Sequence, residues 1–413
     1  MNGQKIESMR IQPQEQQYDI SNIADQANNP NRSFPMPKKS IYLTQCLLVI
    51  LLLLSSGKIL AQSSGNPEDG FQLFPDNEVF AVAVQQDGTV VIGGQFNTVN
   101  AFARQRLARI HTDGSLSTSP GVNGEVLGIE VQPDDKILVG GDFSLVGGVA
   151  RDSIARLNAD GSLDTSFSAS AGNVSALAVQ VDGRILIGGV FTSVNGDLRD
   201  RIARLNSDGT TDMLFNPGAN AQVFAFAVQA DGRILVGGSF SNIGGETRNS
   251  LARLDADGTV DAGFDPDITD AASASIRSVL IQEDGKILAG GRFDTAGTES
   301  RDNFVRLTAG NNAQQSLQFI NNERTIRWQR TGTGPELLEV RFIAQYLDDL
   351  SIVDLGAATR QGNAWVVNNL NLTRERLLFI QVQAFYGSSK SKLNTCQRKT
   401  IQSAAGRIFL FCH

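Results

Sequence analysis

At 413 residues, with 19% charged residues and a formal charge of −7, the chain is long enough for two or three domains and lacks the basic excess of a nucleic-acid binder. Its 41 glycines, set in no Gly-X-Y period, exclude a collagen and point to many tight turns. Three cysteines are too few for a disulfide scaffold.

Residues 1–35 are polar and rich in Gln and Asn, without hydrophobic periodicity, and are expected to be disordered or absent from the mature protein. Residues 36–61 read as a secretory signal peptide. Met36-Pro37-Lys38-Lys39 supplies the basic start, Leu47 to Leu54 an unbroken apolar run, and Ala61 a small residue before Gln62. Translation starting at Met36 is the corresponding expectation, and an intact mass that retains residues 1–35 on the exported chain excludes it. The apolar stretch is too short to span a bilayer comfortably, so no membrane contact is expected after cleavage. Cys46 leaves with the signal, and Cys396 and Cys412 remain as a pair that could bridge the tail.

From about Asp76 a motif repeats. Double glycines fall at 93–94, 140–141, 188–189, 237–238 and 290–291, so the period runs 47, 48, 49 and 53 residues. Each copy opens on alternating apolar positions (Val82 and Val84, Leu177 and Val179, Phe226 and Val228), which predict a strand. An Asp turn follows, as at Asp182-Gly183 and Asp231-Gly232, and leads into an all-apolar second strand such as Ile234-Leu235-Val236. Gly188-Gly189 and its counterparts mark a bulge or a close approach of backbones. Phe96, Phe143, Phe191, Phe240 and Phe293 follow as core plugs.

The third strand carries two arginines per copy, either a ring of cations around a shared axis or structural partners for acids. A three-residue hairpin at Ala159-Asp160-Gly161 sets Arg156 opposite Asp164, and the same arithmetic sets Arg204 opposite Asp212 and Arg253 opposite Asp261. Ser117 replaces the acid in the first copy and leaves Arg109 without that partner. The fourth strand ends in Phe167, Phe215 and Phe264; the fifth copy lacks one, while Asp69 to Pro75 forms an orphan resembling residues 212–217. A closed ring would need such an arrangement, with the N-terminal strand completing the last sheet. The expected fold is therefore all-β: a β-propeller of about five four-stranded blades over 62–311.

The combination Val-Gln-x-Asp-Gly-Lys/Arg-Ile-Leu-Val-Gly-Gly-x-Phe, then Ala-Arg-Leu-Asn-x-Asp-Gly-Ser-Leu-Asp-x-x-Phe, resembles the delta-60 repeat family of bacterial secreted and surface proteins. That resemblance covers all five copies and implies an exported propeller without established catalytic residues. The first copy departs from it, with Pro120 where the terminal Phe is expected.

Residues 312–395 hold both tryptophans, Trp328 and Trp365, and read as a small β-sandwich-like domain. The end of the chain, 396–413, is an irregular tail with no place in either pattern.

Chemistry-bearing residues are sparse. His111 and His413 are the only histidines, and His111 occupies a turn position, so a His-dependent triad or zinc site is not expected. Asp208, Asp212, Asp255, Asp257 and Asp261 space oxygen ligands around Gly bends as calcium loops do, without the terminal bidentate acid; Asp-Gly is equally a hairpin turn. No cofactor is otherwise expected. The functional expectation is a non-catalytic scaffold, secreted, periplasmic or on the cell surface, that binds a protein or glycan through blade loops. The alternative is a carbohydrate- or ester-hydrolysing propeller with acidic residues in its central funnel.

Overall fold

The turns, glycines and phenylalanines of each repeat shape a meander of short antiparallel strands, and the computed structural model contains five of them. It describes residues 73–310, 314–320, 324–346, 351–370 and 378–385, with short strands at Leu393–Thr395, Lys399–Ile401 and Ile408–Leu410. The segments expected to be a polar leader and a signal peptide, together with all three cysteines, lie outside the described residues.

Among the described residues every regular element is a strand. The inner strands of the five blades are Val79–Val84, Glu125–Val131, Ala171–Val179, Val223–Val228 and Ser275–Ile281. Each pairs antiparallel with a second strand (Val90–Gly94, Ile137–Asp142, Ile185–Val194, Ile234–Gly238, Ile287–Arg292). The second strand pairs in turn with a third: Leu107–Ile110, Ile154–Leu157, Ile202–Leu205, Leu251–Leu254 and Phe304–Leu307. A fourth layer is reduced to single bridges, Ile110 to Leu116, Leu157 to Leu163, Leu205 to Thr211 and Leu254 to Val260. The fold is a five-bladed β-propeller followed by a β-rich domain.

The central strand of the third and fourth blades is covered on both faces, which is why it reads as unbroken apolar sequence: Ile185, Leu186, Ile187, Ile234, Leu235 and Val236 are all fully buried. Beside it the inner strand bulges, with register shifts between Val174 and Ala176 and between Val223 and Ala225. The bulge presses a carbonyl onto the second glycine of the pair. A Cβ on Gly189 would stand 2.0 Å from the Asn173 carbonyl oxygen, and one on Gly188 would stand 2.6 Å from Val223 of the next blade. Both readings of the double glycine, bulge and close approach, describe one device.

Pro75 bridges Val99 just as Ala219 bridges Ile243. Phe74 therefore stands where Gly218 stands and is 67% exposed, whereas Phe215 is fully buried. Of the segment expected to complete the fifth blade, Asp69 to Pro75, residues 69–72 lie outside the described residues.

The C-terminal domain is built from two four-stranded sheets. One contains Gln314–Ile320, Thr325–Thr331, Ala364–Val367 and Thr359–Gln361; the other contains Ile352–Ala357, Glu339–Tyr346, Leu378–Phe385 and Leu393–Thr395. Trp328, Ile326, Phe342, Val340, Ile380 and Trp365 from both sheets share one core. In the tail, Lys399–Ile401 and Ile408–Leu410 pair as a short hairpin.

Candidate functional site: the central funnel and its floor

The five inner strands enclose a funnel of about 530 Å3, lined by residues from all five blades. Alternation along those strands decides its chemistry, because every second side chain points inward. Phe80, Val82, Ile129, Leu177, Phe226, Val279 and Leu280 supply its apolar side chains, and Ser175, Ser278, Glu130 and Arg277 add polar groups. Arg277 is exposed and its guanidinium lies 4.9 Å over the Phe224 ring.

One end of the funnel is closed by the C-terminal domain, which sends Pro335, Glu336 and Leu338 into its lining. The closing segment, residues 332–338, docks on the Asp-Gly turns. Pro335 bridges Gln229, Ala230 N–H donates to the Gly334 carbonyl at 2.7 Å, and Glu336 N–H donates to Val228 at 2.9 Å. Gln229 Nε2 donates to the Thr333 carbonyl at 3.2 Å, and Gln86 Nε2 donates to the Glu339 carboxylate at 3.4 Å. From within its own domain the segment is held by Arg330, whose Nη1 donates to Pro335 at 2.8 Å and whose burial pulls its pKa down to about 10.

Glu336 is the most perturbed acid of this floor. Burial pushes its carboxyl up to about 7, against the attraction of Arg360 at 3.1 Å and a hydrogen bond from the Val181 backbone; Asp182 adds to the upward push. Its Oε2 is buried without a hydrogen-bond partner. An acid raised from 4.5 to about 7 favours the folded, docked state while protonated, so stability is greatest below about pH 4.5 and falls until about pH 7. The full span corresponds to roughly 3 kcal/mol. Denaturant titrations of the whole chain should show that loss between about pH 4.5 and 7, and Glu336→Gln should flatten it; an unchanged slope in the variant contradicts this assignment.

The repeated arginines are not part of the funnel lining. Arg156, Arg204 and Arg253 are nearly buried, and each does three things at once. Nε donates to Asp164, Asp212 or Asp261 at 2.8, 2.8 and 2.7 Å. Nη1 donates to Ser207, Ala256 or Ala309 of the next repeat at 2.6, 2.6 and 2.8 Å. The guanidinium plane covers Phe167, Phe215 or Phe264 at 4.6, 4.4 and 4.6 Å. Burial opposes ionisation of Asp164, but hydrogen bonds from Ser166, Lys136 and Arg156 outweigh it and hold the carboxyl well below the usual carboxylate range.

In the first repeat, where Ser117 stands in place of the acid, Gln85 takes over. Its Oε1 accepts from Arg109 Nε at 3.0 Å and Nη2 at 2.9 Å, while Arg109 Nη1 and Nη2 reach Asp160 and Ala159 carbonyls. Sequence reading passed over this glutamine. It recurs as Gln132, Gln180, Gln229 and Gln282, and that recurrence beside every Asp turn was the available signal.

The calcium candidates are occupied by protein groups. Asp208 Oδ1 accepts from Thr210 N–H and Oγ1, and Asp257 does the same with Thr259. Asp212 and Asp261 hold arginines, and Asp255 accepts from Arg233 at 3.0 Å. Among the described residues no group of three or more His, Cys, Asp or Glu side chains is placed to hold a metal ion. His111 lies in the first outer turn, with Nε2 2.7 Å from Ser117 Oγ. Millimolar calcium is expected to leave the melting temperature unchanged; a rise that saturates with calcium and disappears in Asp257→Asn contradicts this.

Comparison with known proteins agrees with this architecture. A family model described as a domain of unknown function (DUF5122) beta-propeller matches residues 85–119, 132–167, 180–215, 229–264 and 282–311. The five matched segments fall one in each blade of the propeller. Two solved structures resemble it at 12% identity: a protein of unknown function from Bacteroides caccae (59% of this chain, 80% of that one, TM-score 0.35); and a gluconolactonase from Xanthomonas campestris (65% and 96%, TM-score 0.33). No curated protein matches it.

Proposed function

We propose that this chain is an exported, non-catalytic scaffold of the delta-60 type, secreted, periplasmic or displayed on the cell surface, that binds a partner through its blade loops. The observation that carries this reading is the face opposite the floor. There the hairpins joining second and third strands project Phe102, Val149 and Leu198 at 64%, 42% and 80% exposure. Adjacent blades thus present apolar tips to solvent, as interaction surfaces do. Phe, Val and Leu offer no hydrogen bonds to sugar hydroxyls, which favours a protein partner over a glycan.

The funnel supports binding over hydrolysis. Of its lining residues, Glu130 and Glu336 alone carry carboxyl groups, and Glu336 is paired with Arg360. A two-acid mechanism needs both groups free to act on the substrate. The test is to present the exported chain to panels of purified cell-surface proteins and of glycans, beside generic ester and glycoside substrates. Expected is protein binding without turnover, lost in Phe102→Ser/Leu198→Ser and kept in Gln86→Ala. Turnover abolished by Glu130→Gln would establish the hydrolase instead.

A further inference from the structure

A ring of small residues keeps the funnel hollow. Ala81, Gly128, Ala176, Ala225 and Ser278, one from each blade, pair with the first glycine of their own blade's Gly-Gly, and all of them line the cavity. With Pro335, Glu336 and Leu338 as its floor, the space of about 530 Å3 falls within the roughly 300 to 1,000 Å3 of small-molecule pockets.

One side chain in that lining departs from the repeat and takes no part in the hydrogen bonding of the fold. Arg277 is the extra residue of the bulge between Ile276 and Ser278, which takes it off the ladder and turns it to the cavity. Phe80, Ser175 and Phe224 hold the same bulge position in blades 1, 3 and 4. The place of Arg277 is fixed from blade 4: Ile276 and Val279 lie against Gly237, and the guanidinium lies 4.9 Å over the Phe224 ring. Among the described residues it donates no hydrogen bond and meets no carboxylate within ion-pair reach. The third-strand arginines differ, since Arg204 and Arg253 spend their donors on a carboxylate and a main-chain carbonyl.

We propose that the funnel binds a small organic acid, a single carboxylate on a short apolar or aromatic body, with Arg277 gripping the carboxylate. A planar guanidinium takes a carboxylate through two parallel N–H···O bonds, and Phe224 beneath it holds the fork in place. One cation balances one carboxylate. A phosphate dianion would keep an uncompensated charge in a lining that also contains Glu130 and Glu336. Phe224, Leu280 and Leu338 offer the apolar body its burial. Leu280 follows Arg277 by three residues on the same strand, about 10 Å at a rise of about 3.3 Å each, which limits the body to about one ring or a short chain. Phe102, Val149 and Leu198 do not line this cavity, so the site goes beyond the partner face and needs no protein partner.

Isothermal titration calorimetry of the full chain with hexanoate, benzoate and 3-phenylpropionate tests this, beside the amide of each acid and phenyl phosphate. At least one acid should bind at one per chain, about ten-fold or more tighter than its amide and than phenyl phosphate. Arg277→Gln should weaken that binding about ten-fold or more, whereas Arg301→Gln, the same loss of charge at an exposed arginine outside the lining, should not. Ser278→Phe, which fills the bore, should abolish it. Arg277 makes no hydrogen bond whose loss could unfold the blade, and the acid-to-amide ratio reads the same grip in the unaltered chain. No saturation by any of the acids up to about 10 mM overturns the proposal. So does equal binding of acid and amide, or binding retained in Arg277→Gln or Ser278→Phe. Tighter binding of phenyl phosphate overturns it too and assigns the site to phosphate esters.

Discussion

Asp212→Ala is expected to cost about 3 to 5 kcal/mol of stability, because it strands the buried guanidinium of Arg204 without its counter-ion. Arg204 cannot turn to water: it is 4% exposed, its Nη1 is committed to the Ala256 carbonyl, and its plane rests on Phe215. Asp208→Ala, four residues away, removes only an exposed carboxylate bonded to Thr210 and should cost far less. Arg204→Met with Asp212→Ala should recover much of the loss, since a buried ion pair replaced by apolar side chains is often neutral. Urea denaturation of the three variants checks the ordering. Equal costs for Asp212→Ala and Asp208→Ala would show that the arginine is not the clamp described.

Gly189→Ala is expected to be at least as damaging, with a loss of about 3 kcal/mol or more. The added methyl would stand 2.0 Å from the Asn173 carbonyl oxygen, a main-chain atom that moves only if the bulge is lost. Gly128 provides the control. It lies in an inner strand, and a Cβ there meets nothing closer than 3.5 Å, so Gly128→Ala should change stability by about 0.5 kcal/mol or less. Loss of soluble protein for Gly189→Ala alone meets the expectation, and near-equal melting of both variants does not.

Turn chemistry made the blades legible in the sequence. The left-handed turn position is held by Gly88, Gly183, Gly232 and Gly285, and only in the second blade by Asp135. Repetition then separated the core from the rest, since Phe96, Phe143, Phe191, Phe240 and Phe293 recur two positions after each double glycine and are all buried. What stayed hidden depends on docking between distant parts of the chain. The floor joins Gln229 to Thr333 across 104 residues, and no local pattern in Gly332-Thr333-Gly334-Pro335 distinguishes a docking segment from a surface turn. The polarity of the funnel was hidden too, because Arg277 and Glu130 interrupt positions that are small or apolar in the other copies.

A crystal structure of the exported chain, beginning at Gln62, would test most directly whether one face of the propeller is sealed and the other free. Five inner strands around a single funnel, with Pro335 paired to Gln229 and the tips at Phe102, Val149 and Leu198 in solvent, is the predicted result. A C-terminal domain docked on those tips, or Asp-Gly turns open to solvent with residues 332–338 elsewhere, would contradict it and move the binding face to the opposite side of the ring.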